Sequence, residues 1–178
     1  MKPKQIIETL LFAYENSITN NDIRKVVNET LDDKQIISII NELNDEYKSS
    51  NKGFYIDFIN NGYQVRTYPE YHQYIESIHN KNTQYKLTKP ALEVLSIIAF
   101  KQPISKMDIE SIRGVDSIGV VKTLLDKDLI MIKGRENKMG RALLYATSSL
   151  FLETFGLNNI SDLPKMNEIK EILDYEIK

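Results

Sequence analysis

The residues able to do covalent or metal chemistry are few and poorly placed for it. The 178-residue chain has no cysteine, which removes thiolate nucleophiles, disulfides and cysteine-ligated metals together. Its two histidines, His72 and His79, stand two helical turns apart and could share a face. No well-spaced carboxylate completes a metal site of known geometry around them, so both read as solvated surface residues. No histidine accompanies a serine in a motif that would make a nucleophile elbow or a triad. The seven glycines, Gly53, Gly62, Gly114, Gly119, Gly134, Gly140 and Gly156, are scattered along the chain. None belongs to a phosphate-binding loop, so ATP hydrolysis by this chain is not expected. The chain reads as a non-enzyme with no catalytic, cofactor or metal residues.

What the sequence offers instead is contact chemistry. Five tyrosines, Tyr55, Tyr63, Tyr68, Tyr71 and Tyr74, gather in one stretch, and tyrosine is favoured at interfaces because it presents a large ring with a polar tip. Ordinary packing should claim at least half of them. Lys133, Arg135, Lys138 and Arg141 form a basic group near the other end, joined by Lys122 and Lys127 and opposed by Asp126, Asp128 and Glu136. The excess there is three positive charges. Such a patch suits non-specific attraction to phosphate more than a tight operator complex, and those first four residues are the candidate DNA-backbone contacts. The whole chain has a formal net charge of -2, which argues against a protein whose main affinity comes from neutralising phosphates.

The elements that must position these groups follow from periodicity. Ile6, Ile7, Leu10, Leu11 and Tyr14 recur at helical spacing and predict a first helix. Thr19-Asn20-Asn21-Asp22 has the capping-box pattern and starts a second helix through Ile23, Val26 and Val27. Asp32 and Asp33 favour the positive end of a third, whose inward positions are Ile36, Ile39, Ile40 and Leu43 and which ends near Ser49. The period then changes: Phe54, Ile56 and Phe58 alternate with Tyr55, Asp57 and Ile59, and Asn61-Gly62 precedes Tyr63 to Thr67. This predicts a β-hairpin with a type I′ turn at Asn61-Gly62. Three helices followed by a two-stranded wing define a winged helix, a helix-turn-helix variant.

The same order returns after the polar run from His79 to Gln84. Thr88 and Pro90 start a helix carrying Leu92, Leu95, Ile98, Ala99 and Phe100. Gln102 to Ile109 then superimposes on Asn16 to Ile23 at a constant offset of 86, so that Ile18 meets Ile104, Asp22 meets Asp108, Ile23 meets Ile109, and Thr19 is replaced by Ser105, another good cap. A further helix follows Asp116 with Val121, Leu124 and Leu125 inward. Leu129 to Arg135 and Ala142 to Thr147 make the second wing, with Asn137, Lys138 and Gly140 in its turn. Turn, cap, helix order and wing together point to an internal duplication. Leu150 to Leu157 forms a short helix ended by glycine, and Lys165 to Lys178 is an amphipathic tail. The expected fold is mainly α with small antiparallel β wings, as two tandem winged-helix domains. Their boundaries are 1–78, a linker at 79–86, 87–164, and a tail at 165–178.

Charge separates the two units as nucleic-acid binders. The third helix of the first carries Lys34 and Lys48 against Asp32, Asp33, Glu42, Asp45 and Glu46, an acidic face that repels phosphate. The N-terminal Met1-Lys2-Pro3-Lys4 is basic, but Glu8 and Glu15 break the apolar stretch after it, so no signal peptide is expected. No apolar run approaches the roughly 20 residues of a membrane span. A cytoplasmic protein is expected.

Several separate motifs, in order, resemble the segregation and condensation protein B (ScpB) family. They are Leu87 to Leu95, Ile97 to Ile104, Ile112-Arg113-Gly114-Val115, Gly140 to Thr147, Phe151 to Leu157 and Asp162-Leu163-Pro164. The first unit is similar at Leu10-Leu11-Phe12-Ala13 and Gly62 to Thr67, so the likeness covers nearly the whole chain. Two departures stand in the second wing: Ala142 where the family usually has proline, and Ala146 where it usually has glycine. The resemblance implies a homodimer formed through the N-terminal winged helix, for which Tyr55, Tyr63 and Tyr68 are the candidate contacts. It also implies an adaptor that binds the kleisin ScpA, and through it the SMC ATPase, near the nucleoid, with DNA touched only indirectly. Leu143, Leu144, Tyr145 and Phe151 are the candidate kleisin-facing residues, although alternation puts half of them in the core. The alternative reading is a cytoplasmic winged-helix transcription regulator that binds DNA as a dimer.

Overall fold

The structure, a computed structural model, describes residues 2–27, 30–79, 87–137 and 140–164. The expected tail at 165–178 and most of the expected linker at 79–86 lie outside the described residues. The chain is mostly helical with small antiparallel sheets and divides into two compact units, Met1–Glu93 and Val94–Lys178.

In the first unit, α1 (Pro3–Ala13), α2 (Asn20–Val27) and α3 (Asp33–Ser49) precede the hairpin β1 (Phe54–Ile59) and β2 (Gly62–Thr67), and α4 (His72–His79) follows. Every element of the first five contributes to one core: Ile7 and Leu11 from α1, Ile23 from α2, Ile36, Ile40, Leu43 and Tyr47 from α3, Ile56 from β1 and Tyr63 from β2. The starts of α2 and α3 are fixed by side chains that satisfy otherwise unpaired backbone N–H groups. Asp32 accepts from the Gln35 N–H at 2.7 Å while Gln35 accepts in return from the Asp32 N–H at 3.0 Å, and the Thr19 hydroxyl accepts from the Asp22 N–H at 3.3 Å. Arg24 of α2 pairs with Asp33 of α3, and Lys4 of α1 pairs with Glu42 and Glu46 of α3.

Two contacts close the hairpin onto the helices. The loop before α2 forms a bridge to β2: the Ile18 N–H donates to the Tyr63 carbonyl and the Tyr63 N–H donates to the Ile18 carbonyl, each at 2.9 Å. On the other side, Asn44 of α3 acts as a substitute strand for β1, donating to the Ile56 carbonyl at 2.9 Å and accepting from the Ile56 N–H at 2.8 Å.

The second unit repeats this plan. Helix α5 (Lys89–Lys101) is followed by a two-residue strand β3 (Ile104–Ser105), α6 (Lys106–Arg113), α7 (Ile118–Asp126), the hairpin β4 (Ile130–Arg135) and β5 (Leu143–Thr147), and α8 (Ser149–Phe155). The division between the units falls within α5. The sheet order is β3-β5-β4, and Ile104 pairs with Tyr145 as Ile18 pairs with Tyr63. Ser105 caps α6 with the same geometry as Thr19 in the first unit. In both, the hydroxyl donates to the aspartate three residues on at 2.6 Å and accepts from its N–H at 3.3 Å. Ile23 and Ile109, the next matched pair, are both fully buried. Gln102, at the end of α5, accepts from the N–H and hydroxyl of Thr147 at 2.8 and 3.1 Å and so ties that helix to β5. Gly156 ends α8 in the left-handed region, as expected.

The structure departs from the sequence reading in several places. The hairpin turn is Asn60-Asn61, with φ of 53° and 57°, not Asn61-Gly62; asparagine tolerates both left-handed positions of a type I′ turn. Gly62 instead opens β2, where an added Cβ would lie 2.9 Å from the carbonyl carbon and oxygen of Ile18. Its role is close approach, not turn geometry. Tyr14 lies beyond α1 as its C-cap residue and is exposed, and Leu92 and Phe100 sit on the outer side of α5, where Ala91 and Val94 are buried in their place. The strand β3 has no local signature, because its partner β5 is distant in sequence.

These contacts predict the response to substitution. Gly62→Ala forces its Cβ against the Ile18 backbone and should lower unfolding stability in urea by about 1–3 kcal/mol. Asn44→Leu leaves the Ile56 N–H and carbonyl without their partner and should cost a similar amount, about 1–3 kcal/mol. An alkaline test follows from Tyr47, whose hydroxyl donates to Glu8 at 3.0 Å. Burial first, and the Glu8 carboxylate second, push its phenol well above the ordinary 10.0. A folded-state pKa raised in this way gives stability that is complete below pH 10.0 and is lost as pH rises further, because the unfolded chain then releases the proton first. Urea titrations at pH 8 to 11 should show a decline that is shallower in Tyr47→Phe. It should not vanish, since burial also raises Tyr63.

Candidate partner-binding surfaces

The chemically versatile side chains are engaged in structural tasks. His72 lies exposed on α4 with Nε2 3.9 Å from Glu76 Oε2, and His79 is the last residue of that helix. Among the described residues no group of three or more His, Cys, Asp or Glu side chains is arranged to hold a metal ion. Asp22 is held below the usual carboxylate range by the Thr19 hydroxyl and then by Lys25. Asp116 is held down by the Ile118 N–H first, with Glu110 and Lys106 also near. Both aspartates fasten the start of a helix.

The tyrosines separate by depth. Tyr63 is 6% exposed because its ring packs into the core of the first unit, so it has little area for a partner. Tyr55 and Tyr68 stack on each other with ring centroids 4.9 Å apart and stay half-buried. Tyr145, the counterpart of Tyr63, is buried at the pairing with β3, and Phe151 is buried on α8 against Phe155. Leu143 and Leu144 are half-buried. The residues expected to face a kleisin thus divide evenly between core and partial surface. Lys133, Arg135 and Arg141 are exposed on the second hairpin, while Lys138 lies outside the described residues.

Sequence reasoning missed the more exposed apolar surface. Phe12, 88% exposed, stands at the rim of a groove of about 420 Å³ lined also by Glu8, Thr9, Tyr47, Phe54 and Val65. Its signal was present: Phe12 falls off the stripe formed by Ile7 and Leu11, so it cannot reach the same core. In the second unit Val115 and Ile118 are exposed beside a shallow cleft at the α6–α7 turn, rimmed by Lys106, Glu110 and Asp116. Helix α7 therefore opens with an exposed Ile118 and Gly119, where a helix reading base edges needs polar side chains. Large apolar residues in open positions suit contact with another protein.

The hairpin of the second unit combines both chemistries. Met131 and Ile132 are exposed on β4, and a bulge between Ile132 and Gly134 sets Lys133 outside the regular ladder. Arg135 donates to the Arg141 carbonyl at 3.2 Å, which holds the two guanidinium-bearing residues on the same part of the hairpin.

Comparison with known proteins places this arrangement. The family model described as segregation and condensation complex subunit ScpB matches residues 5–166. Segregation and condensation protein B of Syntrophotalea carbinolica is 41% identical over 169 residues, 95% of this chain and 84% of that protein. The protein of the same name from Clostridioides difficile is 36% identical over 173 residues, 97% of each chain. The crystal structure of ScpB from Mycobacterium tuberculosis is 26% identical, covers 87% of this chain and 95% of that one, and has a TM-score of 0.42. With relatives and family model alike running through both units, hairpins included, the chain belongs to the ScpB family of segregation and condensation complex subunits.

Proposed function

We propose that this chain is a non-enzymatic adaptor of the SMC–kleisin complex that condenses and segregates the bacterial chromosome. In this reading residues 1–78 and 87–164 are two winged-helix domains. The chain forms a homodimer through the first and binds the kleisin ScpA through the second, in the cytoplasm at the nucleoid. ATP chemistry belongs to the SMC subunit, reached through the kleisin.

The observation that carries the proposal is the character of α7. In a winged helix this is the element that enters the major groove. Its first turn presents exposed Ile118 and Gly119 next to exposed Val115, a surface fit for a protein, while its exposed polar side chains, Lys122, Thr123 and Asp126, come only from the second turn on. The acidic α3 of the first unit points the same way, since its Lys34 and Lys48 are outnumbered by Asp33, Glu42, Asp45 and Glu46. The exposed Lys133, Arg135 and Arg141 favour the rival reading, a transcription regulator, and the same experiment distinguishes the two.

Light scattering during gel filtration gives the mass of the purified chain alone and after mixing with the kleisin from the same genome. A dimer that forms a heavier stable complex is the expected result. A chain that ignores the kleisin but binds one duplex sequence with a Kd below about 10⁻⁸ M at physiological salt would replace the adaptor by the regulator.

A further inference from the structure

We propose that the open edge of β4 is a docking strand for an extended, acidic and aliphatic segment of the kleisin; this rests on the adaptor reading above and adds to it the place and chemistry of one contact. The sheet order β3-β5-β4 leaves one side of β4 without a strand among the described residues. An unpaired strand edge presents backbone N–H and C=O groups that a second chain can pair with.

The two hairpins differ at this point. In the first unit the outer edge of β1 is closed at Ile56 by the side-chain amide of Asn44. No side chain among the described residues closes β4 in this way, and the strand bears Met131 and Ile132 at 46% and 48% exposure. Apolar side chains on an open edge are an aggregation hazard unless something protects or covers them.

Charge selects the occupant. Lys133, Arg135 and Arg141 are exposed, and no carboxylate pairs with any of them among the described residues. A second copy of β4 would bring these cations against their equals, so pairing between copies is opposed. An acidic strand is drawn to them, and two consecutive aliphatic side chains of that strand, one on each face, would cover Met131 and Ile132. The bulge at Lys133 limits regular pairing to the first half of β4 and leaves the basic residues beyond it to hold the carboxylates. Nucleic acid would use the cations but would leave the two apolar side chains uncovered, which is why a protein segment is favoured.

The test uses the full chain and the full kleisin. Hydrogen exchange should show β4 amides slowed on kleisin addition. Lys133→Glu/Arg135→Glu and, separately, Met131→Ser/Ile132→Ser should each weaken kleisin binding about tenfold or more, with the mass and melting temperature of the free chain unchanged. Wild-type affinity in both double variants, with no slowing in β4, overturns the inference and leaves the adaptor reading intact. Loss of duplex retention with kleisin affinity kept assigns the hairpin to nucleic acid and also overturns it. A wild-type chain that never binds the kleisin overturns the adaptor reading itself.

Discussion

A hairpin attached to its domain only by the chain that leads into it is free to swing, and a two-stranded ribbon has marginal stability alone. In this protein the loop ahead of the second helix of each unit prevents that swing by pairing backbone to backbone with the inner hairpin strand, Ile18 with Tyr63 and Ile104 with Tyr145. The pairing dictates its surroundings. In the first unit it brings Gly62 so close to the Ile18 backbone that a side chain there would meet it. It also places Thr19 and Ser105, the next residues, where they cap the following helix. The fully buried Ile23 and Ile109 then start each helix against the core. Hairpin, cap and core are consequences of one contact made twice.

Much of this was legible because it is written locally. Capping residues, the change from helical to alternating period and the offset relating Ile18 to Ile104 are features of short windows, and the helices and hairpins lie where those windows put them. What was not legible depends on residues far apart in sequence. Gly62 read as a turn residue because Asn-Gly is a strong turn signal, and its real constraint comes from a loop more than one helix away. Tyr63 read as an interface candidate because tyrosine is amphipathic, and Tyr145 because the family resemblance pointed to its strand, yet both side chains are buried. Asn44 was silent in the sequence, since nothing local tells that its amide completes the edge of β1. Phe12 and Ile118 were exposed by the same logic in reverse: their neighbours fill the core and leave them outside.

Functionally, these contacts produce two compact units whose contact chemistry lies on their surfaces. The titratable groups that depart from ordinary behaviour, such as Tyr47, Asp22 and Asp116, do so through structural hydrogen bonds and burial. The surfaces differ between the units even though the frames match: an acidic third helix and an apolar groove on the first, an exposed Ile118 at the start of α7 and a basic hairpin on the second. Membership of a segregation and condensation complex agrees with that division.

Native-state hydrogen exchange read at single amides tests the central claim most directly. If the bridge is the contact on which each unit depends, the Ile18 and Tyr63 amides exchange only with global unfolding of the first unit, alongside core helix amides. Their loss of protection well before that, with the α1 and α3 amides still closed, would show that the hairpin detaches independently and that the helices stand without it.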